Sequence, residues 1–450
     1  MTLLAQPPHV SAEPESTLAH LSRPGLRERV VIFITLFAYA WGTPPEWLVF
    51  ARGGEAESSI ITQALFLLLF IHTVVCLNGN WHVVLNASKR EPLIAWFVGL
   101  AFVSTAWSAA AAATFQEGVV LIITYITALH LVVRFELRET VAILAGVFAA
   151  GALINLAFIA IFQDLSTFQI TLGDGNDGSW NGITAQKNSL GRAATLGFVV
   201  CATHARVLRS WVIWPGFALL NLILIFGSRS STSLGGVIGV TILSLVYLGF
   251  RGRKTLYGAT MVSMFVIFTS LITLSATNLA AATGLLGKDA TFTGRAPLWL
   301  HSFTFGVSER PLLGFGRGGF WGNNNNDFEI LLRTFDTPHA HNAWIDALLE
   351  VGPLGALILT GIYARGLLWS TRRIRAVPSA LGMFPAAFIS LGFVFSTTES
   401  GFISRSIQFI VLVVALSEAA RQKGTKERFE DRNGRRLSTK DRVPALPAAG

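Results

Sequence analysis

The chain has 450 residues, of which 52% are apolar and only 14% are charged, and its formal net charge is +9. Soluble proteins carry about a quarter charged residues, so this composition excludes an ordinary water-soluble domain. The surplus cations lie between and beyond the apolar runs, which indicates membrane topology and does not indicate a nucleic-acid partner.

Long apolar runs are the main feature of the sequence, and a helix needs about 20 mostly apolar residues to cross a bilayer. They lie near 29–49, 58–78, 92–109, 112–133, 139–163, 185–205, 211–227, 232–250, 256–278, 343–368, 377–397 and 401–420. Unpaired backbone groups cannot face lipid, and the runs are too long for barrel strands. The sequence therefore predicts an all-α integral membrane protein with about twelve transmembrane helices. Cys76 and Cys201 lie inside two of the runs, so neither a disulfide framework nor a cysteine-based zinc site is expected.

Polar segments divide the chain further. Residues 1–27 and 421–450 predict disordered tails, the second of them basic. Spans one to nine occupy 28–278, and spans ten to twelve occupy 343–420. Between them, 279–342 forms one long loop, and loops of that length carry function more often than packing.

Lysine and arginine concentrate in alternate connections, which orients the bundle because short positively charged loops stay in the cytoplasm. The cytoplasmic set comprises Lys89, Arg90, Arg134, Arg138, Arg206, Arg209, Arg251, Arg253, Lys254, Arg365, Arg372, Arg373 and Arg375. Both termini are therefore predicted in the cytoplasm. The long loop is predicted on the opposite, periplasmic face.

Ten cations lie outside the cytoplasmic set, and four of them are at the outward ends of spans six, eight and twelve: Lys187, Arg192, Arg229 and Arg405. A charge at the bilayer centre costs about 3 kcal/mol on insertion scales, so such residues usually face a polar cavity. The alternative is that each side chain extends to the interface. Several cations on one face favour an anion such as a pyrophosphate, whose oxygens suit the arginine fork.

Local patterns refine this anion-site hypothesis. Lys187 and Gly191 lie four residues apart, so they share a helix face on which glycine permits close approach. The turn at 227–233 combines Arg229 with several hydroxyls, which predicts a capped helix whose N-terminus points at an anion. Ordinary capping explains the serines equally well. In the long loop, Arg295 precedes Pro297, which suits a helix N-terminus.

The rest of the long loop is less specific. Residues 311–320 are glycine-rich, but they follow no strand and match no dinucleotide fingerprint, so a flexible loop is predicted. Asn323 to Asn326 and Asp327 predict a solvated turn, with contact to sugar hydroxyls as the alternative.

Two histidines end the loop, just before span ten. His339 and His341 are suited to accept a hydroxyl proton near neutral pH. Interface anchoring and metal binding by His-x-His are the alternatives, and no third metal ligand is evident nearby. Asn342, Asp346 and Glu350 follow at spacing four, so span ten should turn a polar stripe inward. Its Gly-Pro-x-Gly at 352–355 predicts a kink or a close helix contact.

Five motifs carry a family resemblance. They are Gln-Lys-Asn-x-Leu-Gly at 186–191, Ser-Arg-Ser at 228–230, Thr-Gly-Arg at 293–295, Pro-Leu-x-Gly-x-Gly at 311–316 and His-Asn-x7-Glu-x-Gly at 341–352. In this order they resemble the O-antigen ligase/polymerase family, and within it the exopolysaccharide repeat-unit polymerases of the succinoglycan type. The likeness is strongest over 185–400.

The resemblance implies a metal-independent, inverting glycosyltransferase of the membrane-embedded C type, without a cofactor, in the bacterial inner membrane. Its donor would be an oligosaccharide on undecaprenyl pyrophosphate and its acceptor a glycan. His341 would serve the acceptor hydroxyl, whereas Arg229 and Arg295 would bind and neutralise the leaving pyrophosphate. Lys187 would be a further phosphate contact. The residue pattern itself adds Arg192 as a phosphate ligand and, as possible supporting residues, His339, Asn342, Asp346, Glu350 and Arg405.

Three functions remain open at this stage. A polymerase adds repeat units to a growing lipid-linked chain, whereas an O-antigen ligase moves a finished glycan to lipid A core; the overall likeness favours the polymerase. A chain-length regulator and a flippase would be expected partners. The alternative of another class is a flippase or polysaccharide exporter, which also needs polar intramembrane residues. Such a transporter has no need of a histidine beside outward-facing arginines.

Overall fold

The computed structural model describes residues 23–51, 60–163, 178–184, 186–249, 295–321, 339–377, 379–400 and 403–421. The helices of this part of the chain are α1 (Leu26–Trp41), α2 (Pro44–Ala51), α3 (Ile60–Leu77), α4 (Trp81–Arg90), α5 (Pro92–Val103), α6 (Ala111–Arg134), α7 (Leu137–Ile161), α8 (Lys187–Leu208), α9 (Ile213–Ser228), α10 (Ser231–Gly249), α11 (Arg295–His301), α12 (Ala343–Ala376), α13 (Ala380–Thr398) and α14 (Ile407–Ala420). A 3-10 turn at Ser104–Trp107 continues α5, and a π-helical turn at Ser302–Val307 continues α11.

Several of these helices are suited to a bilayer. By length and composition, α3, α6, α7, α12 and α13 can each cross a membrane, and α5, α9, α10 and α14 are shorter apolar helices. The predicted all-α membrane class is therefore confirmed for the described residues. Every predicted span overlaps a helix except the ninth, 256–278, which lies outside the described residues together with 1–22, 422–450 and most of the 279–342 loop.

The start of the chain differs from the expectation in two places. The first predicted span, 29–49, is broken after Trp41, where Gly42 has a φ of 76° that glycine adopts at little cost. The connection before span three contains the unpredicted helix α4. Its apolar side, with Val83, Val84 and Ala87, is buried, and Lys89 and Arg90 end it. Lys89 and Arg90, which were predicted to lie in a loop, thus form the end of an amphipathic helix.

The core lies where the later helices meet. Helix α8 packs against α9, α7 and α10, while α12 packs against α13, α5 and α14. Large side chains such as Phe148, Phe388 and Phe409 are fully buried between them. Leu67, Leu68 and Trp96 are exposed on the outside, and such apolar surface is what a lipid-facing helix presents.

Helix α12 kinks at Gly352, which has a φ of 73°, and Pro353 follows it. The predicted kink is confirmed. A helix interrupted here leaves backbone carbonyls without partners, because Pro353 offers no N–H and Gly352 leaves the helical conformation.

The glycine-rich segment 311–320 supplies those partners. Phe315 N–H donates to the Leu349 carbonyl at 2.8 Å, and Gly316 N–H donates to the Glu350 carbonyl at 2.8 Å. On its other side, the Phe315 carbonyl accepts from Ala109 N–H at 2.9 Å. The expectation of a flexible loop is wrong here, because the segment closes the kink of α12 and holds it against the end of α5.

Candidate functional site

The start of α8 meets the Ser-Arg-Ser turn between α9 and α10. A Cβ atom added to Gly191 would lie 2.5 Å from Ser233 Oγ and 2.9 Å from Ser228 Oγ, so glycine is required for this approach. Ser230 Oγ accepts a hydrogen bond from Ser233 N–H at 3.4 Å, which confirms the predicted cap of α10. The sequence motifs of spans six and eight therefore form one corner of the bundle.

Arg229 occupies the centre of that turn. Its φ of 49° is in the left-handed region, which is uncommon for a residue with a side chain. The side chain is exposed, whereas the flanking Ser228 and Ser230 are buried. The turn thus leaves its arginine exposed, and Lys187, the first residue of α8, is half-buried. These are two of the predicted phosphate ligands.

His341 also has a left-handed backbone, with a φ of 52°, and it precedes Asn342, the N-cap of α12. Its Nδ1 lies 3.2 Å from Glu399 Oε2 at the end of α13. The Glu399 side chain is only 2% exposed, and that of His341 is 21% exposed. The ring can therefore be reached from outside while its carboxylate partner cannot.

Glu399 also binds α8. Arg192 Nη1 donates to Glu399 Oε2 at 2.8 Å, and Asn188 Nδ2 donates to Oε1 at 3.5 Å. One carboxylate therefore joins the predicted phosphate ligand Arg192 to the predicted base His341. Sequence reasoning missed Glu399 because it followed only the misplaced cations. An acid between two spans of a chain so poor in charge was the available signal.

Asn342 fixes the start of α12. Its Oδ1 accepts from Trp344 N–H at 3.0 Å and Ile345 N–H at 3.2 Å, as an N-cap does. Its Nδ2 donates to the Thr397 carbonyl at 3.2 Å, and its N–H donates to Ser400 Oγ at 3.1 Å. Asn342 therefore ties the His341 backbone to the end of α13.

The predicted Arg295 is the first residue of α11, and its side chain lies outside the described part of the structure. The helix itself is anchored next to the histidines, because Trp299 Nε1 donates to the Ala340 carbonyl at 2.7 Å. Trp299 lies about one helical turn after Arg295. The backbone of α11 therefore begins close to the His341 segment.

The two acids of the polar stripe face inward, as predicted, and each is about 5% exposed. Asp346 Oδ1 accepts from Trp321 Nε1 at 2.9 Å and from Ala340 N–H at 3.0 Å. Glu350 Oε2 pairs with Arg317 Nη1 at 2.6 Å. Asp346 thus binds the backbone one residue before His341, whereas Glu350 holds the segment 311–320.

Arg405 makes a different connection. Its Nη2 lies 3.5 Å from Glu46 Oε1, and its guanidinium lies 5.1 Å above the Phe66 ring. Those contacts join the segment before α14 to α2 and α3. The described contacts of Arg405 do not extend to His341, so the structure gives no support to its predicted supporting role.

His339 stands edge-on to His341, with ring centroids 4.2 Å apart. Burial, followed by the neighbouring His341, lowers the pKa of His339 to about 4. His339 is therefore neutral at neutral pH and adds no charge beside His341. An edge-to-face pair of rings is a packing arrangement, which fits a supporting role better than a shared metal.

Among the described residues, one group of three potential metal ligands comes together, at Glu28, Cys76 and His130. It lies on α1, α3 and α6. Arg134 already donates to both Glu28 oxygens, at 2.8 Å and 2.7 Å, and thus neutralises the carboxylate. We interpret this group as an ion pair that joins α1 to α6.

Taken together, the His341 site offers a reachable imidazole with a buried carboxylate behind it. Cations lie on neighbouring elements, at Lys187, Arg192 and Arg229. An imidazole in this setting can accept a proton from a hydroxyl, and exposed guanidinium groups can neutralise a departing anion.

Two comparisons with known proteins bear on the family resemblance. Residues 216–360 match the family model described as O-antigen ligase (Wzy_C). The chain is also 28% identical over 373 residues to the exopolysaccharide production protein ExoQ of Rhizobium meliloti (strain 1021). That similarity covers 79% of this chain and 80% of the relative. The resemblance predicted from the five motifs is thereby confirmed.

Proposed function

From the match to O-antigen ligase, we propose that the chain is a membrane glycosyltransferase of exopolysaccharide synthesis. It polymerises oligosaccharide repeat units carried on undecaprenyl pyrophosphate, at the periplasmic face of a bacterial inner membrane. Both termini lie in the cytoplasm, as the distribution of lysine and arginine indicates. The similarity to ExoQ supports a role in exopolysaccharide production.

One observation carries the proposal: His341 is 3.2 Å from a buried carboxylate that also binds the start of α8, next to the Arg229 turn. A proton acceptor and several cations on one side of the bundle are what glycosyl transfer from a pyrophosphate needs. A transporter needs polar residues in the membrane, but it does not need an imidazole that a buried carboxylate keeps in a fixed position.

The reaction then takes place in one displacement. The acceptor hydroxyl gives its proton to His341 while its oxygen forms a bond to the anomeric carbon of the donor. The bond between that carbon and the pyrophosphate oxygen breaks, and the oxygen leaves with the electron pair. A single displacement inverts the anomeric configuration. Arg229 and Arg295 stabilise the departing pyrophosphate, the part that a metal ion plays in other transferases.

Purified protein supplied with lipid-linked repeat units tests this function. The wild type is expected to lengthen the glycan without ATP or added metal. His341→Ala should abolish extension while leaving donor binding intact, because the imidazole serves the acceptor. His82→Ala is the matched control, since His82 is exposed on α4. Normal polymer length from His341→Ala would remove the histidine from the mechanism.

The ligase remains the second candidate because the matched family is described as O-antigen ligase. It shares donor and chemistry and differs in the acceptor. Parallel assays with a lipid-linked repeat unit and with lipid A core as acceptor separate the two. Movement of lipid-linked glycan across the membrane without any lengthening would favour the transporter.

A further inference from the structure

We infer that Glu399 is the positioning residue for His341, holding the imidazole with its proton on Nδ1 so that Nε2 is the atom that takes the acceptor proton. This inference rests on the proposed function for its role in catalysis, while the protonation state of the ring is a property of the protein alone. Neither the family match, which ends at residue 360, nor the sequence motifs include Glu399.

The carboxylate is held firmly. Glu399 follows the last residue of α13, and its N–H donates to the Phe395 carbonyl at 2.7 Å, so its backbone is fixed to that helix. With an exposed side-chain fraction of 2%, it has no access to bulk water. A buried acid in this position needs donors, and Arg192, Asn188 and His341 surround it.

The backbone of His341 is held as well. On one side, Ala340 N–H donates to Asp346 Oδ1, and on the other, Asn342 N–H donates to Ser400 Oγ. Between these two anchors His341 adopts a φ of 52°, a conformation that costs free energy for a residue with a Cβ atom. Such outliers persist where the surroundings enforce them, and here the enforced backbone directs the ring to Glu399.

The protonation state follows from the partners. An ionised carboxylate only accepts hydrogen bonds, and Arg192, which stays protonated, supplies a positive charge at 2.8 Å from the same oxygen. Nδ1 must therefore donate to Oε2. A neutral imidazole that is protonated on Nδ1 has its lone pair on Nε2, and the carboxylate stabilises the imidazolium that forms when Nε2 accepts a proton.

Glu399 has a competing role, that of an ion pair joining α8 to α13. The two roles differ in what a neutral isostere changes. Loss of a helix contact lowers stability and leaves the chemistry of the folded fraction intact. Loss of a positioning carboxylate lowers the turnover number and alters its pH dependence.

Glu399→Gln is the test variant. We expect its turnover number for chain extension to fall on the order of a hundredfold or more, by analogy with the loss of the orienting aspartate in a serine protease triad. The donor KM should change little. The acid limb of the pH–rate profile should move to lower pH, because the anion no longer favours the imidazolium. Among the described residues, the charged and titratable groups in direct contact with the ring include His339 and Glu399, and Arg192 binds the same carboxylate.

Glu418→Gln is the matched control. Glu418 is also a buried carboxylate, 3% exposed, and it pairs with Arg373 at 3.3 Å and Arg421 at 2.7 Å at the end of α14. It should lose thermal stability with no movement of the pH–rate profile. If Glu399→Gln behaves in the same way, with normal turnover per folded molecule, the positioning role is overturned.

A second measurement does not depend on activity. In protein labelled with ¹⁵N-histidine, the His341 signals, assigned by their loss in His341→Gln, report which ring nitrogen carries the proton. The inference requires an Nδ1–H tautomer in the wild type and a loss of that preference in Glu399→Gln. An Nε2–H tautomer in the wild type overturns it. If the Nδ1–H tautomer is found but no glycan is extended, the proposed function fails while the assignment of the ring stands.

Discussion

Gly191 of α8 and Ser233 of α10 are so close that a methyl group at position 191 would lie 2.5 Å from the Ser233 hydroxyl oxygen. Gly191→Ala is therefore expected to push the Ser-Arg-Ser turn, and Arg229 with it, away from α8. Overpacking of this kind costs about 1–3 kcal/mol. Thermal unfolding of the purified variant measures the loss, and the chain-extension rate measures the displacement of Arg229.

Gly235→Ala is the control for that prediction. Gly235 lies in α10, and nothing comes within 4 Å of an added Cβ atom there. Alanine stabilises an open helical position by up to about 1 kcal/mol relative to glycine. Equal losses from the two variants would show that Gly191 is not specifically required for the contact with the turn.

The buried pair of Arg317 and Glu350 is expected to be important for stability. Glu350 Oε2 lies 2.6 Å from Arg317 Nη1, and the two side chains are 7% and 12% exposed. Removing one partner from a buried pair leaves an uncompensated charge, which costs about 3–5 kcal/mol. Glu350→Gln should therefore lower the melting temperature strongly, and Arg317→Met combined with Glu350→Leu should recover part of the loss.

A more exposed pair provides the comparison. Arg29 and Glu139 lie 2.6 Å apart, but their side chains are 36% and 30% exposed. Exposed pairs contribute about 0–1 kcal/mol, so Glu139→Gln should change the melting temperature little. If both glutamine variants melt alike, the loop at 311–320 is held by its backbone hydrogen bonds and not by the ion pair.

Acidification should destabilise the protein through His339. Its pKa is about 4 in the folded protein against 6.5 ordinarily, so the folded state binds fewer protons than the unfolded state between those values. The stabilising contribution is complete above pH 6.5 and is lost as the pH falls to about 4. His339→Gln should flatten this part of the curve of melting temperature against pH. A curve unchanged by that substitution would contradict the burial of a neutral ring.

The helices could be predicted from the sequence because apolar length alone specifies a membrane helix. It does not specify where a span is interrupted. The break at Gly42 depends on Thr43 and Glu46 bonding to each other, where Thr43 N–H donates to Glu46 Oε2 at 2.7 Å. Helix α4 was missed for a related reason, because an amphipathic helix of 10 residues ending in Lys89 and Arg90 has the composition of a charged loop.

The site was predictable where a residue was out of place in the sequence. The sequence indicates Arg192 and His341 as a cation and a histidine on the predicted outward face, and the structure joins them through one carboxylate. Glu399 was not predictable in this way, since its importance arises from contacts with residues 58 and 207 positions away. Arg405 is a cation whose position in the sequence suggested a role in the site, but in the structure it pairs with Glu46.

Chain extension is expected to continue after treatment with a metal chelator. In the proposed reaction, the charge of the leaving pyrophosphate is balanced by Arg229 and Arg295, and guanidinium groups are not removed by chelation. Product length is measured with and without the chelator, and thermal unfolding is followed in the same samples. Thermal unfolding monitors the group at Glu28, Cys76 and His130, whose ligand atoms are close enough together to hold a metal ion. Removal of a metal from that group is expected to change the melting temperature. Loss of extension at unchanged melting temperature, restored by a divalent cation, would mean that the arginines do not suffice and that a metal takes part in the displacement.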